Sequence, residues 1–409
     1  SGDKASLEAK LDEILKSSSN EDERHDLLEH LGTEFANQAP HEGWKLVLTR
    51  FTYLPDRQIF GMALLQRWAR SAPEEALAAC KDIPEGERRL LGYTAALKGW
   101  AKRQPAEAAK WVDANLTSIY RRTAAGVVGR IWAAEDPAEA AAWASTPTSE
   151  MERIFILGEV LETWALKYGP DAAKWVERME PGKMRDLMMS KVIFRWAENF
   201  PKTTAEWLVM NPDHTWLLPR VLAKWAKYDH MAASTWLHQV TQEELADQCK
   251  SAIASEWAQY NPRAAYEWVS AQLKGDTRQL AMNEVLHTWA QEYPREALNW
   301  VSEKIPQAER SEAVSTIVQT WSMTDTSLFT SWLDQQKPGL EKDLGLEQMA
   351  RMIISTDPRN AMTTAQAISN PIRRKEVTEQ LIEEWKSIAP DEAAKWTPPE
   401  PTADAKTQE

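Results

Sequence analysis

Three of the chain's seven histidines lie close together in the sequence, and imidazole can bind metals, transfer protons or contact a partner near neutral pH. They are His214, His230 and His238, with Trp216 among them. Their spacing, even with the adjacent carboxylates of Asp213 and Asp229, matches no established metal signature. A metal site is therefore only one of three interpretations of this cluster. The second is a repeat whose sequence has diverged, with a local kink in the array, and the third is a binding site for a partner. We predict no metal and no other cofactor, and name these three histidines and Trp216 as candidate partner-binding residues.

The chain lacks the common motifs of catalysis. It has no P-loop, no G-x-G-x-x-G, no G-x-S-x-G, no H-E-x-x-H and no C-x-x-C. The formal net charge of −13 also argues against binding to nucleic acid, whose phosphates require a basic surface. We therefore expect a protein that is not an enzyme, has no catalytic residue and does not bind nucleic acid.

The 21 tryptophans invite a different chemistry, because aromatic rings stack on sugars. Most of them, however, recur at fixed spacing, ten in one series and nine in a second series eleven residues later. Their apolar companions lie three and four residues before them, which is typical of the buried face of a helix. The first series is Trp68, Trp100, Trp132, Trp164, Trp196, Trp225, Trp257, Trp289, Trp321 and Trp385, and the second is Trp111, Trp143, Trp175, Trp207, Trp236, Trp268, Trp300, Trp332 and Trp396.

Only Trp44 and Trp216 fall outside this register, so Trp44 is a further candidate for contact with a partner. An alternative function, binding of a carbohydrate or envelope polymer, would use these two tryptophans together with Tyr168, Tyr228 and Tyr260. Both functions are non-catalytic, and the sequence leaves the choice between them open.

The period of 32 residues, seen between Trp68 and Trp100, is the signature of a repeat array. A proline such as Pro105 recurs five residues after the first tryptophan and predicts the start of a first helix, and a second helix runs to the next tryptophan. We predict an all-α, open, right-handed α-solenoid of about eleven helix-hairpin repeats. Its structural columns are represented by Trp100, Trp111, Pro105, Arg121, Trp132, Trp143 and Arg153.

A basic column lies near the start of most predicted second helices, where a cation is unfavourable, and it is interrupted in the two units that begin at Trp196 and Trp225. Two interpretations are open. The column is either structural, with each cation in an ion pair or stacked on a tryptophan, or it is a basic stripe that binds an acidic partner. The column comprises Arg89, Arg121, Arg153, Arg185, Arg278, Arg310, Lys342 and Arg374.

The repeat resembles the tetratricopeptide-like class of α-solenoids. It is most similar to the W-A-x(3)-P-x(2)-A-A-x-W helical repeats of secreted or envelope-associated bacterial proteins, as in Trp100-Ala101, Pro105, Ala108-Ala109 and Trp111. The resemblance covers residues 35–397 and implies binding of a protein or peptide on a concave surface. The chain departs from true tetratricopeptide repeats in its period and in lacking their Leu-Gly and Tyr signature.

Three regions are predicted. Residues 1–34 form an acidic helical capping unit, residues 35–397 form the array with irregular units at 196–256, and residues 398–409 form a disordered tail. No apolar run is long enough to span a membrane. We expect a monomer in the bacterial periplasm or cell envelope, or secreted, with a signal peptide already removed; the cytoplasm is the alternative.

Overall fold

The computed structural model describes residues 2–16, 20–147 and 149–397, in which helices and turns occur without a strand. The predicted tail at 398–409 lies outside the described residues. The chain divides into two compact units, Ser1–Met210 and Asn211–Glu409. Their boundary falls inside the segment 196–256, where the sequence period shortens to 29 residues between Trp196 and Trp225.

The first unit is built from helices of successive repeats and one short 3-10 helix at Cys80–Asp82. Its helices are α1 (Gly2–Lys16), α2 (Glu21–Gln38), α3 (Pro40–Thr49), α4 (Leu54–Trp68), α5 (Pro73–Ala79), α6 (Glu87–Ala101), α7 (Pro105–Asn115), α8 (Ser118–Ala133), α9 (Pro137–Ala144), α10 (Glu150–Glu177), α11 (Lys183–Ala197) and α12 (Pro201–Met210).

The second unit follows the same plan and carries 3-10 helices at Pro212–Leu217 and Leu237–Gln239. Its helices are α13 (Leu218–Trp236), α14 (Glu243–Ala258), α15 (Pro262–Gln272), α16 (Gly275–Glu292), α17 (Pro294–Lys304), α18 (Gln307–Thr324), α19 (Thr326–Asp334), α20 (Leu340–Ile353), α21 (Pro358–Gln366), α22 (Pro371–Ile388) and α23 (Pro390–Ala393).

Short polar side chains and prolines set the starts of the first helices. Asp136, Asn261 and Asp357 each accept a hydrogen bond from the backbone N–H three residues later, at 3.2 Å in every case. The proline that follows each cap occupies the first helical turn, where its missing N–H costs nothing. These caps confirm the punctuation predicted from the sequence.

Two of the helices run through a repeat boundary with a kink. α10 bends at Tyr168 (φ −134°, ψ 56°), and α13 bends at Asp229 (φ −151°, ψ 83°). At the second kink Asp229 caps the following turn by accepting the Ala232 N–H at 2.9 Å, so His230 takes the place that proline holds elsewhere.

The two tryptophan series meet where one hairpin follows another, in six pairs among the described residues, which explains their offset of eleven residues. Ring centroids of the first and second tryptophan lie 5.9 Å apart for Trp132 and Trp143, and 5.1 Å apart for Trp321 and Trp332. Such tilted aromatic pairs join the end of one second helix to the following first helix. The tryptophans therefore form part of the packing between helices.

Successive second helices pack on each other within each unit. In the first unit the contacts run α2–α4–α6–α8–α10–α11, and in the second unit they run α13–α14–α16–α18–α20. Small residues permit this approach: a Cβ atom on Gly99 in α6 would lie 1.9 Å from the Gln66 carbonyl oxygen in α4. The sequential contacts confirm the predicted all-α array and give it a solenoid-like organisation.

Candidate functional site

The candidate residues of the irregular segment occupy different environments. His214 lies buried in the 3-10 helix Pro212–Leu217, whereas the neighbouring Trp216 is 51% exposed. His230 stacks on Trp257 with ring centroids 4.1 Å apart and an interplanar angle of 20°.

His238 is exposed, and its Nδ1 atom lies 2.6 Å from the Thr235 carbonyl oxygen. The part of the chain that the structure describes contains no group of three or more His, Cys, Asp or Glu residues placed to hold a metal ion. The structure therefore does not bring His214, His230 and His238 into one coordination site. Trp216 is one of three exposed aromatic residues among the described residues of the segment, with Phe200 and Tyr228.

Trp44 belongs to the first unit and lies in α3, where it is buried. Its indole N–H donates to Asp82 Oδ2 at 3.0 Å, which joins α3 to the 3-10 helix at Cys80–Asp82. Trp44 also lines a groove between α3, α4 and α6, which we call the α3–α6 groove. Trp44, which lies outside the tryptophan register, is therefore one of the residues that line this groove.

The α3–α6 groove is mainly apolar. It holds a cavity of about 60 Å³, several times the roughly 10–15 Å³ that one water molecule needs. An apolar group larger than a water molecule therefore fits inside it. Its lining consists of Trp44, Val47, Leu54, Gly61, Met62, Leu65, Ile83, Leu91 and Gly92, with Arg57, Gln58 and Arg88 as the polar members.

Arg57 and Arg88 bring positive charge to the groove. Arg57 is half-buried and Arg88 is exposed, and neither guanidinium group makes a hydrogen bond or an ion pair with any residue that the structure describes. Sequence reasoning missed both, because neither residue belongs to a repeat column. Arg88 directly precedes Arg89 of the basic column, which was the one available hint.

Nearby acids are already engaged. Asp82 accepts the Trp44 N–H, and Asp56 accepts a hydrogen bond from Arg24 Nε at 3.2 Å. Glu85 pairs with Arg89 at 3.1 Å. The two guanidinium groups of the groove therefore keep their charge available to a ligand.

A second depression continues the same surface along the second helices α4, α6 and α8. It has a volume of about 390 Å³ and shares Met62 with the α3–α6 groove. Lys98 is exposed in it, whereas Arg130 forms an ion pair with Glu159 at 2.5 Å. Its lining residues are Met62, Gln66, Thr94, Ala95, Lys98, Val127, Arg130 and Ile131.

Exposed aromatic rings occupy the turns between repeats, and Tyr168 and Tyr228 are among them. Tyr260 is 62% exposed and Tyr293 is 59% exposed, and together they line a polar cleft of about 630 Å³ in the second unit. Sequence reasoning missed Tyr293, although it follows Trp289 by the same four residues that separate Tyr168 from Trp164.

The basic column turns inward toward the end of the preceding first helix. Arg310 donates to the Ile305 carbonyl at 3.0 Å, Lys342 to the Gln336 carbonyl at 3.0 Å, and Arg374 to the Ile368 carbonyl at 3.1 Å. These carbonyl groups follow a helix C-terminus, where a cation is favourable. This contact explains why a cation is tolerated at the start of the second helix.

Some members of the column also pair with acids of the next repeat, as Arg121 does with Glu152 and Arg278 with Glu309 at 3.3 Å. Arg121 pairs in addition with Asp113 of its own hairpin at 2.8 Å. In Arg153 the buried Nε atom has no hydrogen-bond partner among the described residues. The column is therefore heterogeneous in its contacts.

Both cysteines are buried. Burial raises the pKa of the Cys80 thiol from 9.0 to about 12, and it raises the pKa of Cys249 to about 12 as well. Since folding favours the protonated thiol, this contribution to stability is complete below pH 9 and is lost as the pH rises toward 12. Near neutral pH neither thiol supplies a thiolate nucleophile.

Comparison of the chain with protein-family models, with curated protein sequences and with solved structures finds no match. Among the helices of the described residues, none combines the length and apolar character needed to cross a lipid bilayer. The functional argument therefore rests on the geometry of the chain itself.

Proposed function

We propose that this protein is a non-catalytic scaffold that binds a protein or peptide segment in the α3–α6 groove. The observation that carries the proposal is an open apolar groove, bordered by Arg57 and Arg88 without partners among the described residues and walled by Trp44. In protein interfaces, a few anchor side chains that fill well-packed pockets supply most of the binding energy.

The surrounding array supports this role. We propose that the repeats form an open, right-handed, tetratricopeptide-like solenoid, since hairpin follows hairpin with contacts between neighbouring second helices. Such arrays present side chains of successive repeats on one continuous surface. Here that surface includes the second helices α4, α6 and α8.

Photo-crosslinking tests the location of the binding surface. A photoreactive phenylalanine analogue replaces Met62 in the groove or, as the control, Met323, which is exposed in the second unit. Partner captured from extracts of the source cell should crosslink at position 62 and not at position 323. Crosslinking at 323 alone would contradict the proposal.

A charge in the groove gives the matching binding test. Met62→Glu should weaken binding of the purified partner by about tenfold or more, because a carboxylate would be desolvated in an apolar contact. Met323→Glu changes the net charge equally and should leave the dissociation constant unchanged.

Trp216→Ala tests the irregular segment. Unchanged affinity for the partner in this variant would exclude that segment as the binding site.

A carbohydrate ligand is the second candidate, and the cleft with Tyr260 and Tyr293 favours it. Two exposed phenol rings lie there with the carboxylates of Glu292 and Glu296, so rings for stacking and hydrogen-bond acceptors share one cleft. Retardation on affinity gels that contain envelope polysaccharides would support this function if Tyr260→Ala and Tyr293→Ala abolish the retardation. The control is Tyr53→Ala, which replaces an exposed tyrosine of the first unit and should leave the retardation unchanged. Equal mobility with and without every glycan would exclude it.

A further inference from the structure

The charge around the α3–α6 groove is opposite to that of the whole chain. The protein has a formal net charge of −13, yet the polar lining of the groove supplies two arginines and no acid. Glu87, beside Arg88 in α6, is exposed and lies outside the lining residues. A cationic ligand would therefore meet like charge where it enters the groove.

We infer that the occupant of the groove is an acidic segment of a partner protein that inserts an apolar side chain between Trp44 and Leu91 and pairs its carboxylates with Arg57 and Arg88. This inference rests on the proposed function and adds the chemistry of the partner. The apolar cavity accounts for the anchor, and the two guanidinium groups account for the charge.

Arginine suits this role better than lysine. Its planar group can bind a carboxylate through two parallel N–H donors, and it loses less hydration on contact. Because Arg57 is half-buried against apolar neighbours, a carboxylate beside it would be partly shielded from solvent. An ion pair there is stronger than one on the open surface.

The second depression indicates the length of the segment. Helix axes in contact lie about 8–10 Å apart, so the path from α4 to α8 is roughly 20 Å long. An extended chain advances about 3.3 Å per residue, and the path therefore accommodates about six residues. Lys98 lies along this path, so a carboxylate in the second half of the segment would also meet a cation.

Fluorescence anisotropy with the full-length protein tests the inference. The probe is a labelled peptide of about six residues in which Glu and Asp alternate with Leu and Phe. A second peptide carries Lys and Arg at the charged positions, and a third keeps the acids but replaces Leu and Phe with Ser. Only the first should bind well, and its affinity should fall several-fold between low salt and about 0.3 M salt because of screening.

Charge reversal in the protein completes the test. Arg57→Glu with Arg88→Glu should weaken binding of the acidic apolar peptide by at least about tenfold. Lys167→Glu with Lys174→Glu changes the net charge equally at exposed sites of the same unit and should leave binding unchanged. The neutral pair Arg57→Gln with Arg88→Gln repeats the test with a smaller perturbation, and circular dichroism checks that each variant is folded.

The outcomes separate the two claims. Equal binding of the acidic and basic apolar peptides would overturn the inference about charge and leave the proposed function standing. Failure of all apolar peptides to bind would overturn both claims at this groove. Dodecanoate that binds more tightly than the acidic peptide would overturn the assignment of a protein segment in favour of a long-chain carboxylate.

Discussion

Arg121 shows how one side chain links two repeats. It pairs with Asp113 at the end of α7 and with Glu152 in α10, and both Arg121 and Glu152 have side chains only 19% exposed. Limited solvent contact strengthens such a pair beyond a surface salt bridge, whereas a fully buried one also carries a large desolvation cost. The pair therefore ties the start of one second helix to that of the next.

A double-mutant cycle measures this link. For Arg121→Met and Glu152→Gln we expect a coupling free energy of about 1–2 kcal/mol, between the values for exposed and buried pairs. Urea unfolding of the wild type, both single variants and the double variant supplies the four free energies. Additive effects would contradict an ion-pair ladder and leave carbonyl capping as the role of the column.

Asp343 is a second residue whose side chain holds two elements together. It is buried, and its carboxylate accepts hydrogen bonds from the Ser369 N–H at 2.7 Å, the Ser369 hydroxyl at 2.9 Å and the Asn370 N–H at 2.9 Å. Asp343→Ala should lower the free energy of unfolding by about 2–4 kcal/mol, since these donors lose a charged acceptor. Asp334→Ala, at an exposed position, should change it by less than about 0.5 kcal/mol. Similar urea midpoints for the two variants would refute this role.

Only some of the residues of the candidate site were predictable from the sequence. Trp44 stood out because the repeat gives no reason for a tryptophan there, and it does line the groove. Arg57 and Arg88 could not be selected, because the sequence does not reveal which acids pair with other cations. Only the folded structure shows that Asp56 accepts a hydrogen bond from Arg24 and that Asp82 accepts one from Trp44.

Among the helices, the approach of α4 to α6 depends on one missing side chain. A Cβ atom at position 99 would lie 1.9 Å from the Gln66 carbonyl oxygen, and the backbone of one helix would have to move. The overpacking cost of about 1–3 kcal/mol or more exceeds the gain of up to about 1 kcal/mol from replacing glycine by alanine in a helix. Gly99→Ala should therefore lower the stability of the first unit.

Gly61→Ala is the matched control in α4. Its added Cβ would lie 3.3 Å from a Val47 methyl group, which can adjust, so we expect a change near zero or a small gain in stability. Thermal unfolding followed by circular dichroism compares the two variants. An equal melting temperature for Gly99→Ala and the wild type would show that close contact between α4 and α6 is not required.

The helices themselves were largely predictable from the sequence. The recurring proline and the Asp or Asn before it predicted the starts of first helices, and Asp136 and Asn261 confirm the caps. The repeat boundary inside α10 was also predictable: Tyr168 (φ −134°, ψ 56°) has nearly the same backbone angles as Tyr293 (φ −129°, ψ 56°), which separates α16 from α17. The groove, in contrast, escaped prediction, since three helices create it together.

For the whole molecule, the main consequence of the repeat is that packing is local. Each second helix packs mainly on its neighbours, and one buried cluster extends from Ala254 to Ala393 within the second unit. In such arrays stability is roughly a sum of repeat and nearest-neighbour terms. Destabilisation of one repeat should therefore weaken its surroundings before it affects distant repeats.

The two cysteines allow this locality to be measured, because each unit contains one of them. Cys80 lies in the first unit and Cys249 in the second, and both are free and buried. At pH 8 the folded protein should react slowly with an aromatic disulfide reagent, since burial raises both pKa values to about 12 and hides the sulfur atoms. Reaction at each cysteine thus reports the opening of its own surroundings.

Labelling across a urea series, followed by mass spectrometry of the peptides, gives one midpoint for each cysteine. Gly99→Ala should lower the Cys80 midpoint and leave the Cys249 midpoint nearly unchanged, because Gly99 packs in the first unit and coupling decays with distance along a repeat array. Asp343→Ala should leave the Cys80 midpoint unchanged. Equal shifts at both cysteines in either variant would show that the chain unfolds as one cooperative body, and the two compact units would then be a feature of packing without separate stability.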